Sequence, residues 1–125
     1  MKIAISTDEW ETISYHFSRT KGFAIFEVEG NKIKSLEYRP NVFFTHTRGL
    51  DTMSHVLERY SPILNIIMDC EVVISNGMEK CIYDHLKRRG IEVYVTNETN
   101  VKNALDLYLS HELIDNSDIG CGHND

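Results

Sequence analysis

The run Val72-Val73-Ile74, followed by Gly77 and a helical pattern over 79–88, constrains the fold more than any other stretch of the chain. Three successive β-branched residues offer solvent no polar side chain on either face, so a strand built from them belongs in the middle of a sheet covered on both sides. Covering both sides takes helices, and the sequence supplies them. From Gly49 onward Leu50, Met53, Leu57, Tyr60 and Leu64 recur on one helical face,. Pro62 interrupts that face, and Ser61 can cap a fresh segment whose first residue is proline. The spacing therefore predicts one helix near 49–59 and another near 62–68. The helix over 79–88 stops at Gly90, after Lys87-Arg88-Arg89 has placed cations in the last turn, where the helix dipole favours them. A last amphipathic helix over 100–109 carries Val101, Ala104, Leu105 and Leu109.

The other strands precede and follow the central one. Lys2 to Ser6 is a short apolar run ending at Thr7-Asp8. Phe23 to Val28 is a second strand, and Gly30-Asn31 turns it into Lys32 to Tyr38, where charged and apolar residues alternate as in a hairpin with one wet face,. Ile91 to Val95 is the fifth strand. The order β-β-β-α-β-α-β-α predicts an α/β protein: a mixed five-stranded sheet with helices on both faces, as in three-layer ribonuclease H-like folds. Residues 1–110 form one domain, and 111–125, polar and glycine-containing, are expected as a flexible C-terminal tail.

With 125 residues the chain can bury a core without metal or disulfide staples,. Net charge of −6 opposes general attraction to nucleic acid or anionic membrane,. No run of about eighteen apolar residues exists to cross a bilayer, and Met1-Lys2-Ile3-Ala4-Ile5 enters a strand pattern without a signal-peptide core. Three cysteines at irregular spacing fit reduced thiols rather than a disulfide framework,. The expected setting is the cytoplasm, with monomer and homodimer both open.

In open α/β sheets ligands bind beyond the carboxyl ends of the strands, where loops and helix N-termini converge. The first strand sends Thr7, Asp8 and the loop Ser14-Tyr15-His16-Phe17-Ser18-Arg19 to that edge, and the fourth sends Asn76, Gly77, Met78 and the start of a helix. His16 can give a neutral imidazole nitrogen to iron or another transition metal, Arg19 can clamp an anion, and backbone N–H groups at the helix start can receive one. The alternative is a loop histidine bonded to a carbonyl beside a surface arginine. Cys81, in the first turn of that helix, is the better-placed thiol because a helix N-terminus lowers thiol pKa; Cys70 lies at the other end of the strand and reads as packing. Near the chain end, Gly120-Cys121-Gly122-His123 sets a thiol and an imidazole two residues apart between glycines. This half-site needs further ligands, such as His16 and Cys81 if the tail folds back, or a second tail in a dimer.

Taken in order, these pieces resemble the dinitrogenase iron-molybdenum cofactor biosynthesis family, which includes carriers of nitrogenase cofactor precursors. The resemblance runs from Met1 to about Leu109. Its anchors are Met1 to Asp8, Ser14-x-His16-Phe17-x-Arg19, Phe23 to Val28, Asp69 to Met78, Leu86-Lys87-x-x-Gly90-Ile91 and Ala104-Leu105. It implies a metallocluster or metal ion held by His16, Arg19, Ser14, Asp8, Asn76, Gly77 and Met78. His46 stands as a secondary ligand in a loop where relatives are often histidine-rich. The chain departs from the family pattern at Ser18, Asn76 and Glu79, where glycine is usual.

Hydrolysis fits these residues poorly. A two-metal nuclease needs several clustered carboxylates, whereas Asp8 is the only acid expected at the right edge and Glu71 falls at the opposite end of its strand. The glycine signatures of nucleotide binding and acyl transfer are missing. The sequence thus points to a non-catalytic binder or carrier of an iron-sulfur or iron-molybdenum type cluster, or of a single transition metal ion, exchanging it with donor or acceptor proteins. The other reading is a regulatory or interaction module of the same fold without a cluster.

Overall fold

The computed structural model describes residues 1–15, 17, 20–41 and 64–115. Five strands and two complete helices are defined there: β1 (Lys2–Ser6), β2 (Gly22–Glu29), β3 (Lys32–Pro40), β4 (Val72–Ser75), α1 (Lys80–Arg88), β5 (Glu92–Val95) and α2 (Val101–Leu109). Residues 64–66 are helical as well, inside the helix expected near 62–68. The helix expected near 49–59 lies outside the described residues.

The sheet order is β3-β2-β1-β4-β5. β2 pairs antiparallel with β1 and β3, while β4 runs parallel to both β1 and β5. This is the mixed sheet that a meander followed by βα units predicts; β1 occupies its middle, and β4, one strand further on, is interior and fully buried as its β-branched run requires. Alternate residues face opposite layers. Ala4, Phe23, Ile25, Val73 and Val93 pack with Leu64, Ile67, Ile82 and Leu86 on one side. Ile3, Ile5, Phe26, Val28 and Ile74 pack with Val101, Ala104 and Leu105 on the other. Helices therefore cover both faces, α1 on the first and α2 on the second. Among the described residues no helix is long and apolar enough to cross a membrane.

Local chemistry sets the element ends. Gly90 takes φ +86°, with its N–H on the Lys87 carbonyl and the Ile91 N–H on the Leu86 carbonyl, so α1 closes in a Schellman turn at the expected glycine,. Asn100 caps α2 by accepting the Asn103 N–H at 2.9 Å,. β3 is exposed along nearly its whole length, including Ile33 and Leu36, so the alternation predicting one wet face belongs to an edge strand wet on both. Lys32, Lys34, a bulge opposite Glu27/Val28 and the closing Pro40 all disfavour further strand addition there,.

Arg39 at the end of β3 reaches across to the segment before β4. Its two terminal nitrogens donate to both oxygens of Asp69 at 2.7 and 3.1 Å, one also donates to the Ile66 carbonyl, and Lys2 adds a third bond to Asp69 at 3.0 Å. The Arg39 guanidinium holds the Asp69 carboxyl far below the ordinary carboxylate range. Because the folded-state pKa is depressed, this stabilisation is complete above the unfolded value near pH ~4 and is lost as pH falls below it. Asp69 is half exposed, so solvent screening limits the pair to about 1 kcal/mol,. Asp69→Asn is expected to flatten the acid limb of the stability profile; an unchanged dependence of urea midpoints between pH ~4 and ~2 would count against the pair.

Candidate functional site

The carboxyl ends of β1, β4 and β5 lie side by side, and the loops that leave them are bonded into one surface. A hydroxyl relay starts it: buried Ser6 Oγ donates to Ser75 Oγ at 3.2 Å, and Ser75 Oγ donates to the Gly77 carbonyl at 3.0 Å. The Phe17 N–H donates to that same carbonyl at 2.9 Å, and the Ser14 N–H to the Ser6 carbonyl at 2.8 Å. The loop after β1 is thus tied to the exit of β4. Asn76 ties β4 to β5, its side-chain amide donating to the carbonyls of Thr96 at 2.8 Å and Glu98 at 2.6 Å. Ile13 closes the circuit through the Thr99 carbonyl.

Phe17 explains why the loop stays down. Its ring is fully buried, 5.3 Å from that of Phe23, within the cluster that α1 covers. Thr20 works from the other end of the loop: it is 1% exposed, and its hydroxyl lies 2.7 Å from that of Ser14 and within hydrogen-bond reach of the Gly22 carbonyl. Between them sits Asp8, whose Oδ1 accepts from Ser14 Oγ at 3.0 Å and from the Lys21 N–H at 2.8 Å.

Asp8, Ser14, Asn76 and Gly77, four of the residues expected around a ligand, therefore stand in one connected network. Several of their polar atoms are spent on that network: one Asp8 oxygen, the Asn76 amide and the Gly77 carbonyl are already engaged. Met78 is 3% exposed and its side chain belongs to the core beside Ile82, so that thioether serves packing. His16, Arg19 and His46 lie outside the described residues, as do Cys121 and His123. Among the described residues no three His, Cys, Asp or Glu side chains are grouped to hold a metal ion.

The two described cysteines lie beyond opposite ends of β4. Cys70 is buried, and that burial, reinforced by the Asp69 charge, pushes its thiol up to about 12, which keeps it protonated and inert,. Cys81 is exposed in the first turn of α1, at the carboxyl edge. Its thiol is shifted the opposite way from the sequence expectation: partial desolvation raises it first and the Glu79 charge adds to that, outweighing the N–H groups of Ile82 and Cys81 that pull it down. The helix N-terminus alone does not make this thiol a nucleophile; a bound cation would be needed to draw off its proton.

Sequence reasoning missed an aromatic corner beside this edge. Trp10, at φ +81°, packs 5.3 Å from Tyr38, and the Tyr38 hydroxyl donates to the Thr7 carbonyl at 3.1 Å. The Tyr38 ring lies so close over Gly22 that a Cβ there would stand 2.4 Å from its Cζ. Glycine at the start of β2 was the available signal, since glycine in a strand often marks such an approach. Thr20 and buried Asn41, whose amide donates to the Thr20 carbonyl, left no signal of their own.

This arrangement defines an open mixed α/β protein with a loop-built platform at the carboxyl edge of its sheet. Residues 1–111 match the model of the family described as dinitrogenase iron-molybdenum cofactor, and the chain belongs to that family. An uncharacterized protein of Methanocaldococcus jannaschii is 32% identical over 113 residues, covering 90% of this chain and 89% of the relative. Among solved structures, a candidate dinitrogenase of Methanocaldococcus jannaschii matches with a TM-score of 0.66 at 24% identity, over 90% of this chain and 91% of that one. The apo form of the orange protein of Desulfovibrio gigas matches with a TM-score of 0.69 at 17% identity, over 99% and 96%. At such identities these two likenesses establish the fold alone.

Proposed function

We propose that the chain is a non-catalytic binder and carrier of an iron-sulfur or iron-molybdenum type metallocluster, or of a transition metal ion, held at the carboxyl edge of the sheet. The observation that carries this reading is the Phe17 N–H to Gly77 carbonyl bond, which fastens the His16 loop to the exit of β4 where α1 begins. The donor set suits the cargo: imidazoles of His16 and His123, thiols of Cys81 and Cys121, with His46 as a secondary ligand, are the nitrogen and sulfur ligands that iron and its clusters take. Arg19 and the N–H groups at the start of α1, where the N-cap Glu79 makes no side-chain cap bond, would meet the negative charge of a sulfide cluster,. Family membership supports the cofactor class, as the family's own description names an iron-molybdenum cofactor.

The strand order suits a ribonuclease H-like architecture, yet the loop-binding role of Asp8 favours holding over hydrolysis. As a carrier the protein would work in the cytoplasm, as monomer or homodimer, and exchange its cargo with donor and acceptor proteins. The second reading is a regulatory or interaction module without a cluster. It draws on Asn76, which stands where glycine is usual in the family and spends its amide on the Thr96 and Glu98 carbonyls.

Trp10 offers a direct test, being the sole tryptophan and two residues from Asp8. Iron-sulfur clusters absorb in the visible and near ultraviolet and quench nearby indole emission. Anaerobic titration with ferrous iron and sulfide is expected to quench Trp10 saturably. Emission that stays constant while a cluster chromophore forms would place the cargo elsewhere.

A further inference from the structure

Trp10 stands 39% exposed beside the carboxyl edge, at a φ of +81° that is a genuine outlier for so bulky a residue,. Such strain persists only where the surroundings impose it. Thr7 imposes it here: its hydroxyl accepts the Trp10 N–H at 3.0 Å and donates to the Thr12 carbonyl at 2.6 Å, closing the turn that carries the indole. Tyr38 supports the indole from the strand side at 5.3 Å, its own place kept by the Thr7 carbonyl and by the missing side chain of Gly22. Backbone strain is thus spent on holding an indole partly in solvent, and packing does not account for that.

The charges around the corner have one sign. Asp8-Glu9-Trp10-Glu11 carries three carboxylates and no cation, and all three acids are exposed. Two of them bear on the aromatic pair: burial raises the Tyr38 phenol first, and the Asp8 and Glu9 charges raise it further. Glu11 is fixed at the start of α2, where its carbonyl accepts the Val101 N–H at 2.8 Å. Lys21 meets Asp8 through its backbone N–H, and Arg39, next to Tyr38 along β3, is bonded to Asp69 and Glu37 instead.

An indole face is the best aromatic partner for a cation, and tryptophan and arginine are among the residues that most often anchor protein interfaces. Carboxylates beside that face favour a cation on it and oppose a nucleic acid, an anionic lipid or an acidic peptide. The geometry points to a docking surface: the Trp10–Tyr38 corner, flanked by Asp8, Glu9 and Glu11, seats a lysine or arginine side chain from a basic segment of a partner protein. The surface adjoins the edge proposed to carry the cargo but needs no metal, so it stands or falls apart from that reading.

The probe is a fluorescein-labelled peptide of alternating arginine and glycine, titrated at low ionic strength against the metal-free full chain and followed by anisotropy. Wild type would be compared with Trp10→Ala and Trp10→Phe, which leave every charge in place, and with Glu9→Gln/Glu11→Gln. Asp106→Asn/Glu112→Gln, on and after α2, removes the same charge elsewhere, and circular dichroism verifies folding throughout. Trp10→Ala is expected to weaken binding about fivefold, and Trp10→Phe less, because phenylalanine is the poorer cation partner. The Glu9/Glu11 pair is expected to lose about two- to fivefold, the Asp106/Glu112 pair to bind as the wild type does, and added salt to weaken all of them. In the unlabelled titration the Trp10 indole N–H resonance should move saturably. Wild-type affinity in Trp10→Ala would overturn the proposal, as would equal losses in the two acid pairs, since either marks attraction to net charge alone. Absence of binding by the wild type, or equal binding of an alternating glutamate and glycine peptide, would overturn it as well.

Discussion

Replacing Phe17 with alanine is expected to destabilise the protein by about 3–5 kcal/mol, the range for removing a fully buried aromatic ring. The ring is 0% exposed and packs on Phe23 inside the layer that α1 covers. Nothing nearby can collapse into the void cheaply, because the cluster is shared between strands that the ladder holds fixed. The effect reaches the site, since the Phe17 N–H is the bond that fastens the His16 loop to Gly77. Phe17→Leu, which keeps most of the volume, is expected to cost only about 1–1.5 kcal/mol. Urea unfolding of the three proteins checks this, and a Phe17→Ala loss below about 1 kcal/mol would show that the ring is not the anchor.

Gly22→Ala is the second large effect, at about 2–3 kcal/mol, and it acts through a different residue. The new methyl would stand 2.4 Å from Cζ and Oη of Tyr38. The ring must swing away, giving up its hydrogen bond to the Thr7 carbonyl and its contact with Trp10,. Trp10 emission should shift to the red as its neighbour leaves. The coupling is the sharper prediction: in Gly22→Ala/Tyr38→Ala the two losses should fall well short of additive, because the clash and the contacts belong to the same ring. Additive losses would mean that Gly22 is required for some other reason.

What could be read from the sequence was whatever leaves a local pattern. The β-branched run at 72–74 is legible because burial on both faces excludes polar residues, and it marks a strand inside the sheet, although β1 holds the middle position. Gly90 is legible because a positive φ at a helix end favours glycine. The site was legible only as an address. Asp8 and Ser14 do lie beyond the carboxyl end of β1, but they bond each other there, and residue type alone does not say whether such groups serve their own loop or a ligand. The Phe17–Gly77 bond joins residues sixty positions apart through backbone atoms, which no side-chain pattern encodes. Cys81 depended on a balance between helix N–H groups and desolvation, and the sign of that balance follows from packing. Asp115 had the most misleading surroundings, a polar stretch before glycines, and proved to be bonded to two separate elements.

The central claim, that this edge carries a metallocluster or metal ion through His16, is tested most directly by metal content. Wild type and His16→Ala would be reconstituted anaerobically with iron and sulfide, desalted, and compared for iron, sulfide and visible absorption at equal protein concentration. The account predicts stoichiometric metal in the wild type and its loss in His16→Ala, with the two proteins equally folded by circular dichroism. No bound metal in the wild type, or the same amount in both proteins, would contradict it.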